Sequence, residues 1–239
     1  MVELSGSEIC KRVRRLLNEA NINEAEFYTG EDETEYDDLI KSKVFEALNF
    51  VNLNCRIDYL EPDSVSDEPT ISQVGSTGRY VAKLEVEDFL RLVGIDSDWD
   101  AEYLEVEDRS SDEYAKQKDK YAMGTEERPK VFLVHKSSGD VLELYSFDSE
   151  GAEVSVSYQS YIKEWSDPTT EDDETTDVVS ETTDEEVEQV VKISDKLVDP
   201  CLYYISSLVL LSMNDRHSED FSGMAMVLMG VQPTKAAQQ

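Results

Sequence analysis

The sequence predicts an α+β protein: N- and C-terminal helices forming one bundle, an inserted antiparallel β-sheet unit, and an acidic flexible loop. Three observations predict it. Apolar residues recur at helical spacing only towards the two ends of the chain, and strand formers alternate through its middle. From Glu164 to Val191 there is no Lys or Arg at all. The expected division is 1-60 and 194-230 for the helical bundle, 79-162 for the sheet unit and 167-183 for the loop.

The first helix is expected in SGSEICKRVRRLLNEAN, capped by Ser5 or Ser7, with Ile9, Val13, Leu16 and Leu17 on one face. Lys11, Arg12, Arg14 and Arg15 crowd its other face, which is either solvated or a dock for an acidic neighbour such as a second copy. EDETEYDDLIKSKVFEALNFVNLNC reads as a second helix. Thr34 or Asp32 caps it, and Leu39 or Ile40, then Val44, Leu48 and Val51, form its stripe, with Phe45 beside it. The prolines, glycines and serines of the next twenty or so residues exclude a long helix there.

The strand pattern begins near Tyr80. RYVAKLEVEDFLRLVGI reads as a strand followed by an apolar stretch that bends at Gly94, and AEYLEVEDR alternates roughly around Tyr103. KVFLVH, the turn SSGD and VLELYSF form the clearest hairpin. AEVSVSYQSYI adds a strand with Val154, Val156 and Tyr158 on one face. The acid- and threonine-rich composition that follows lacks the apolar area needed to order itself, so Asp167 to Thr183 reads as a loop. Deleting Thr169–Thr183 is therefore expected to leave the melting temperature nearly unchanged. A drop of more than about 10 °C, several kcal/mol for a domain of this size, would show that the loop is built into the core.

SDKLVDPCLYYISSLVLLSMND is helical again. It starts at Ser194, restarts at Asp199-Pro200, or kinks through Pro200. Leu197, Cys201, Tyr204, Ile205, Leu208 and Leu211 or Ser212 mark one broad face. The segment is apolar nearly all round, which fits the centre of a core or an interface, and Tyr204 and Leu208 are expected to share one contact. SEDFSGMAMVLMG closes the pattern as a short helix capped by Ser218 and stopped by Gly230.

The 239 residues carry a formal charge of −32 and are 39% hydrophobic. Such a charge argues against wrapping nucleic acid through phosphate neutralisation and is compatible with a surface that repels it. Cys10, Cys55 and Cys201 are far apart in apolar stretches, which suits a reducing compartment. The first ten residues have no signal-peptide pattern, and the longest apolar run, Pro200–Met213, is short for a membrane span. The expectation is a soluble protein that meets no membrane.

Catalytic and cofactor chemistry finds no foothold. GSTGR lacks the spacing and lysine of a phosphate loop. His135 and His217 are isolated, no ligand cluster has metal spacing, and no serine-nucleophile signature occurs. The reading is no enzyme, no cofactor and no metal.

One stretch stands out against the acidity. YAKQKDKYAMGTEERPKVFLVHK, from Tyr114 to Lys136, holds six of the chain's 22 Lys and Arg residues immediately before and within the best strand. Lys116, Lys118, Lys120 and Arg128 supply a basic hook, and Tyr114 and Tyr121 flank it as amphipathic anchors.

The order of these parts resembles the head-to-tail connector, or adaptor, ring proteins of short-tailed bacteriophages, also called tail-tubular or ring proteins. The resemblance rests on SGSEICKRVRRLLNEA, DDLIKSKVFEALNFVN, YVAKLEVEDFLRLVGID, DEYAKQKDKYAMGTEERPKVFLVHKSSGDVLELY and LVDPCLYYISSLVLLSMND. The DFLRL strand, then the polar hook, then Arg-Pro leading into a hairpin carries most of it. The composition is similar to proteins of crAss-like phages. The acidic stretch after Glu164 departs from the family pattern.

The resemblance implies a virion structural protein at the head–tail junction, assembled in the host cytoplasm. It would form a ring of about twelve copies that docks below the portal protein and supports downstream ring or tail proteins. DNA would pass through its acidic lumen without specific binding. The residues expected at partner interfaces are Tyr114, Lys116, Lys118, Lys120, Tyr121, Arg128, Tyr204 and Leu208. The competing class is an acidic DNA mimic or inhibitor, which would space its acids regularly over a folded face instead of gathering them in one stretch.

Overall fold

The computed structural model describes residues 1–20, 33–97, 105–119, 121–125, 128–147, 153–168 and 188–231. The fold is α+β. The chain divides into two compact units, one of Met1–Leu60 and Ile162–Gln239, the other of Glu61–Tyr161. The sequence positions 169–183, Tyr103, Asp32 and Lys120 lie outside the described residues.

The first unit is mainly helical. Strand β1 (Val2–Ser5) leads into α1 (Gly6–Ala20), and α2 (Glu33–Asn54) follows. The Ser5 hydroxyl accepts the Glu8 amide at 3.3 Å, so Ser5 caps α1. Thr34 falls inside α2, leaving it no place as the cap. After the inserted unit the chain returns as β10 (Val190–Ile193), α4 (Val198–Ser212) and α5 (Ser218–Leu228). Strand β1 pairs antiparallel with β10, Val2 opposite Ile193.

Helix α4 packs against α1, α2 and α5. Ile9, Val13 and Leu17 of α1, Val44, Leu48 and Val51 of α2, and Cys201, Ile205 and Val209 of α4 are all buried. The apolar character of α4 on nearly every side follows from these three neighbours. Pro200 sits in its first turn, where an amide hydrogen is not needed. Ser194 does not cap the helix; its hydroxyl instead donates to the Tyr59 carbonyl at 2.7 Å. Ser218 is the first residue of α5, not its cap, and its carbonyl accepts the Ser207 hydroxyl. Gly230, at φ 75°, ends α5 as the sequence leads one to expect.

All three cysteines are free and buried. Burial pushes the Cys10 thiol up to about 11, and Asp37 adds to the shift. Among the described residues no helix is long and apolar enough to cross a membrane.

The second unit contains two sheets. One has the order β3-β4-β8-β7-β6, the other β2-β9-β5. The strands are β2 (Ser64–Ser66), β3 (Thr70–Gln73), β4 (Tyr80–Val86), β5 (Phe89–Ser97), β6 (Val106–Asp108), β7 (Lys130–Lys136), β8 (Gly139–Phe147) and β9 (Val154–Ser160). The unit thus reaches back to Glu61 and takes in two short strands from the turn-rich stretch.

Strands β4 and β5 are adjacent in sequence yet belong to different sheets. The chain changes sheet at Glu87-Asp88, where Asp88 takes a positive φ of 49°. Both sheets contribute to one core: Leu84 and Val86 from β4, Leu92 from β5, Leu142 and Leu144 from β8, Val156 from β9. Around Gly94 the β5–β9 register shifts, which is the bend foreseen there.

Among the described residues all ladders but one are antiparallel. The exception is β6 with β7, which run parallel with Val106 opposite Val131. Parallel neighbours cannot be joined by a hairpin; they need a crossover of a dozen or more residues. Residues 109–129 are that crossover, and they contain the first part of the basic hook. Topology therefore requires a long connection directly before the best strand.

A candidate partner-contact surface on the crossover

The crossover is built on a short helix, α3 (Asp112–Lys116). Ser111 caps it, accepting the Tyr114 amide, and donates its hydroxyl to Glu107 at 3.0 Å. This places Tyr114 over the sheet. Its ring meets Phe132 edge-on at 5.2 Å and Tyr145 at 6.3 Å. The Arg109 guanidinium lies 5.6 Å from the centre of the same ring.

Beneath Tyr114 is a buried carboxylate. Glu143 of β8 is 5% exposed. Its Oε2 accepts the Tyr114 hydroxyl at 3.0 Å and the Tyr145 hydroxyl at 2.8 Å. The Lys83 ammonium stands 3.9 Å from Oε1. A buried carboxylate needs such partners, since an unpaired one would be costly.

Burial, together with Glu143, pushes both tyrosine hydroxyls above the ordinary tyrosine range. A raised folded-state value stabilises the fold below the unfolded value, about pH 10, and that contribution is lost as pH rises beyond it. Denaturant melts should therefore show the β unit losing stability above about pH 10. Tyr145→Phe should reduce the slope in that alkaline range; an unchanged slope would remove Tyr145 from the account.

The second half of the crossover is pinned as firmly. Gln117 is 1% exposed, and Met123 is buried. The Gln117 side chain donates to the Glu113 carbonyl at 2.9 Å and accepts the Gly124 amide at 2.8 Å. A Cβ on Gly124 would overlap the Tyr145 carbonyl oxygen, so only glycine allows this approach. The Tyr121 amide donates to the Asp119 carboxylate, and Thr125 and Arg128 exchange backbone hydrogen bonds.

What this leaves outside is specific. Tyr121 is 93% exposed. Lys118 and Arg128 are exposed, and their side chains have no partner among the described residues. Lys116 is exposed but paired with Glu113, and Lys130 is paired with Glu107.

No protein-family model matches the chain, and no curated protein matches it.

The interface residues expected from sequence thus fall into distinct places. Tyr114 faces its own unit's core and anchors the crossover internally. Tyr121, Lys118 and Arg128 are each exposed on that crossover, while Lys120 lies outside the described residues. Tyr204 and Leu208 belong to the other unit. Tyr204 stacks flat on Phe50, with ring centres 4.1 Å apart. Leu208 is only 8% exposed, so in the single chain it is a core residue. One turn on, Leu211 is 60% exposed.

Sequence reasoning did not single out Glu143, Gln117 or Gly124, which fix the crossover. Glu143 alone had a local signal, an acid in the middle of an apolar strand.

Among the described residues no group of three or more His, Cys, Asp or Glu side chains is placed to hold a metal ion. An open cleft of about 540 Å³ in the β unit is lined by Glu85, Glu87, Asp88 and Asp140 with Ser64 and Tyr158. Its single sign of charge is unsuited to anionic ligands.

Proposed function

We propose that this chain is a virion structural protein, a ring-forming head–tail connector. In this reading it docks below the portal, lines the DNA exit channel and carries the tail. The observation that supports the reading most is the crossover. A chain with 54 acidic and 22 basic residues holds an exposed tyrosine and two exposed cations without a side-chain partner among the described residues on a hydrogen-bonded platform, an economical way to grip a protein partner while the rest of the surface repels DNA. The order of sequence segments, from the capped N-terminal helix to the apolar α4, supports the same reading.

The mass of the native particle by light scattering, with and without portal protein, tests it. A ring-sized mass in either condition is the expected result, and a monomer in both would overturn the reading. Charge reversal at Lys116, Lys118 and Lys120 is expected to leave the circular dichroism of the chain unchanged and to block its incorporation into portal–tail assemblies. Normal incorporation of that variant would separate the hook from the assembly contact.

A further inference from the structure

The cleft in the β unit lies where the core between its two sheets stops short. Strand β2 pairs with β9, Ser64 opposite Tyr158 and Ser66 opposite Val156. Directly opposed residues share a face of the sheet, and Tyr158 and Val156 belong to the core. Ser64 and Ser66 therefore sit on the core side with small polar side chains, where apolar ones would complete the packing. The space left is the cleft of about 540 Å³. The other sheet borders it with Val86 and Asp140, a cross-strand pair of β4 and β8, and the turn after β4 borders it with Glu87 and Asp88.

We propose that this cleft takes an extended, lysine- or arginine-bearing segment of a partner protein. The segment pairs along the free edge of β2 and sets a cationic side chain between the serines and the acids. The proposal stands independently of the ring-forming reading.

The edge is the first support. Among the described residues β2 pairs with β9 alone, so its other side is open to a further strand. The strand reads Ser-Val-Ser, with no charge, proline or bulge to turn a newcomer away. Its Val65 is 63% exposed.

Charge selects the kind of segment. Glu85, Glu87, Asp88 and Asp140 line the cleft, and among the described residues no Lys or Arg does. Asp140 already meets the His135 ring, Nδ1 to carboxylate oxygen at 2.7 Å. The Glu85 and Glu87 side chains are exposed and have no partner among the described residues. Among those residues no three acids are grouped to hold a metal ion, which favours a cation carried on a side chain.

Tyr158 is the third support, and it is independent of charge. It lines the cleft and is 5% exposed. Its hydroxyl accepts the Glu87 amide at 3.1 Å, while its own proton has no acceptor among the described residues. A buried donor left so is costly. A peptide carbonyl in the cleft supplies the acceptor; a protonated polyamine, which only donates, does not.

Anisotropy of a fluorescein-labelled peptide of alternating threonine and lysine, titrated with the full chain, tests the proposal. Saturable binding that weakens with added salt is expected. A peptide with the same number of lysines separated by proline pairs cannot add as a strand, and should bind about tenfold more weakly. Glu87→Lys should weaken the alternating peptide about tenfold. Glu219→Lys, an equal change of charge on the exposed side of α5, should leave its binding unchanged. Ser66→Val keeps the charge and fills the cleft, so it should weaken binding about as much while the melting temperature holds or rises. Circular dichroism should be unchanged in all three variants. Absence of saturable binding, or equal binding of the proline-spaced peptide, overturns the strand. Equal losses in Glu87→Lys and Glu219→Lys overturn the cleft as the site, because diffuse acidity alone then accounts for the binding.

Discussion

Phe132→Ala is expected to destabilise the β unit by about 3–5 kcal/mol, the largest effect of any single truncation in that unit. Phe132 is fully buried on β7. It meets Tyr114 and Tyr145 edge-on at 5.2 and 5.7 Å. The truncation therefore opens a cavity beneath the crossover and removes the ring against which Tyr114 is held. Calorimetry should show a lowered transition for the β unit, and partner binding through the crossover should weaken even where the unit remains folded. A stability loss below about 1 kcal/mol would mean that the site collapses without cost.

Leu208→Ala should cost about 2–5 kcal/mol of stability in the helical unit. Leu208 is buried on α4, the helix that touches α1, α2 and α5. Assembly of this variant should fall only in proportion to the loss of folded protein. Leu211→Ala is the control: at 60% exposure it should change the melting temperature little. Circular dichroism melts beside negative-stain images of both variants separate the outcomes. A fully stable Leu208→Ala chain that fails to assemble would restore Leu208 to an intermolecular contact.

Local signals in the sequence were read well. The cap and stripe of α1, the β7–β8 hairpin with its Ser137-Ser138 turn, and the stop at Gly230 each depend on residues a few positions apart, and each is present in the structure. Readings that depend on distant partners fared differently. Strands β2 and β3 span three and four residues in a stretch full of turn formers. What makes them strands is β9 and β4, not their own composition. Strand β1 likewise exists through Val190–Ile193, at the far end of the sequence.

Nothing in YVAKLEVEDFLRLVGI says that its two strands enter separate sheets, since that is decided by which partners each meets. The candidate site divides along the same line. The cations and tyrosines of the hook were legible as composition. That Tyr114 turns inward while Tyr121 turns outward depends on Glu143, which is 29 residues away in sequence. The apolar girth of α4 was plain; whether it served a core or an interface depended on how many helices surround it.

The interrupted make-up of the helical unit also sets an order of events during synthesis. Helices α1 and α2 leave the ribosome first, yet the element that covers their apolar faces, α4, comes only after the whole β unit and the acidic segment have been made. At roughly 5–20 residues per second, Ile9, Val13, Val44 and Leu48 stay uncovered by α4 for several seconds while Glu61–Tyr161 can already close on itself. Until then the apolar faces of the first two helices can be covered only by each other.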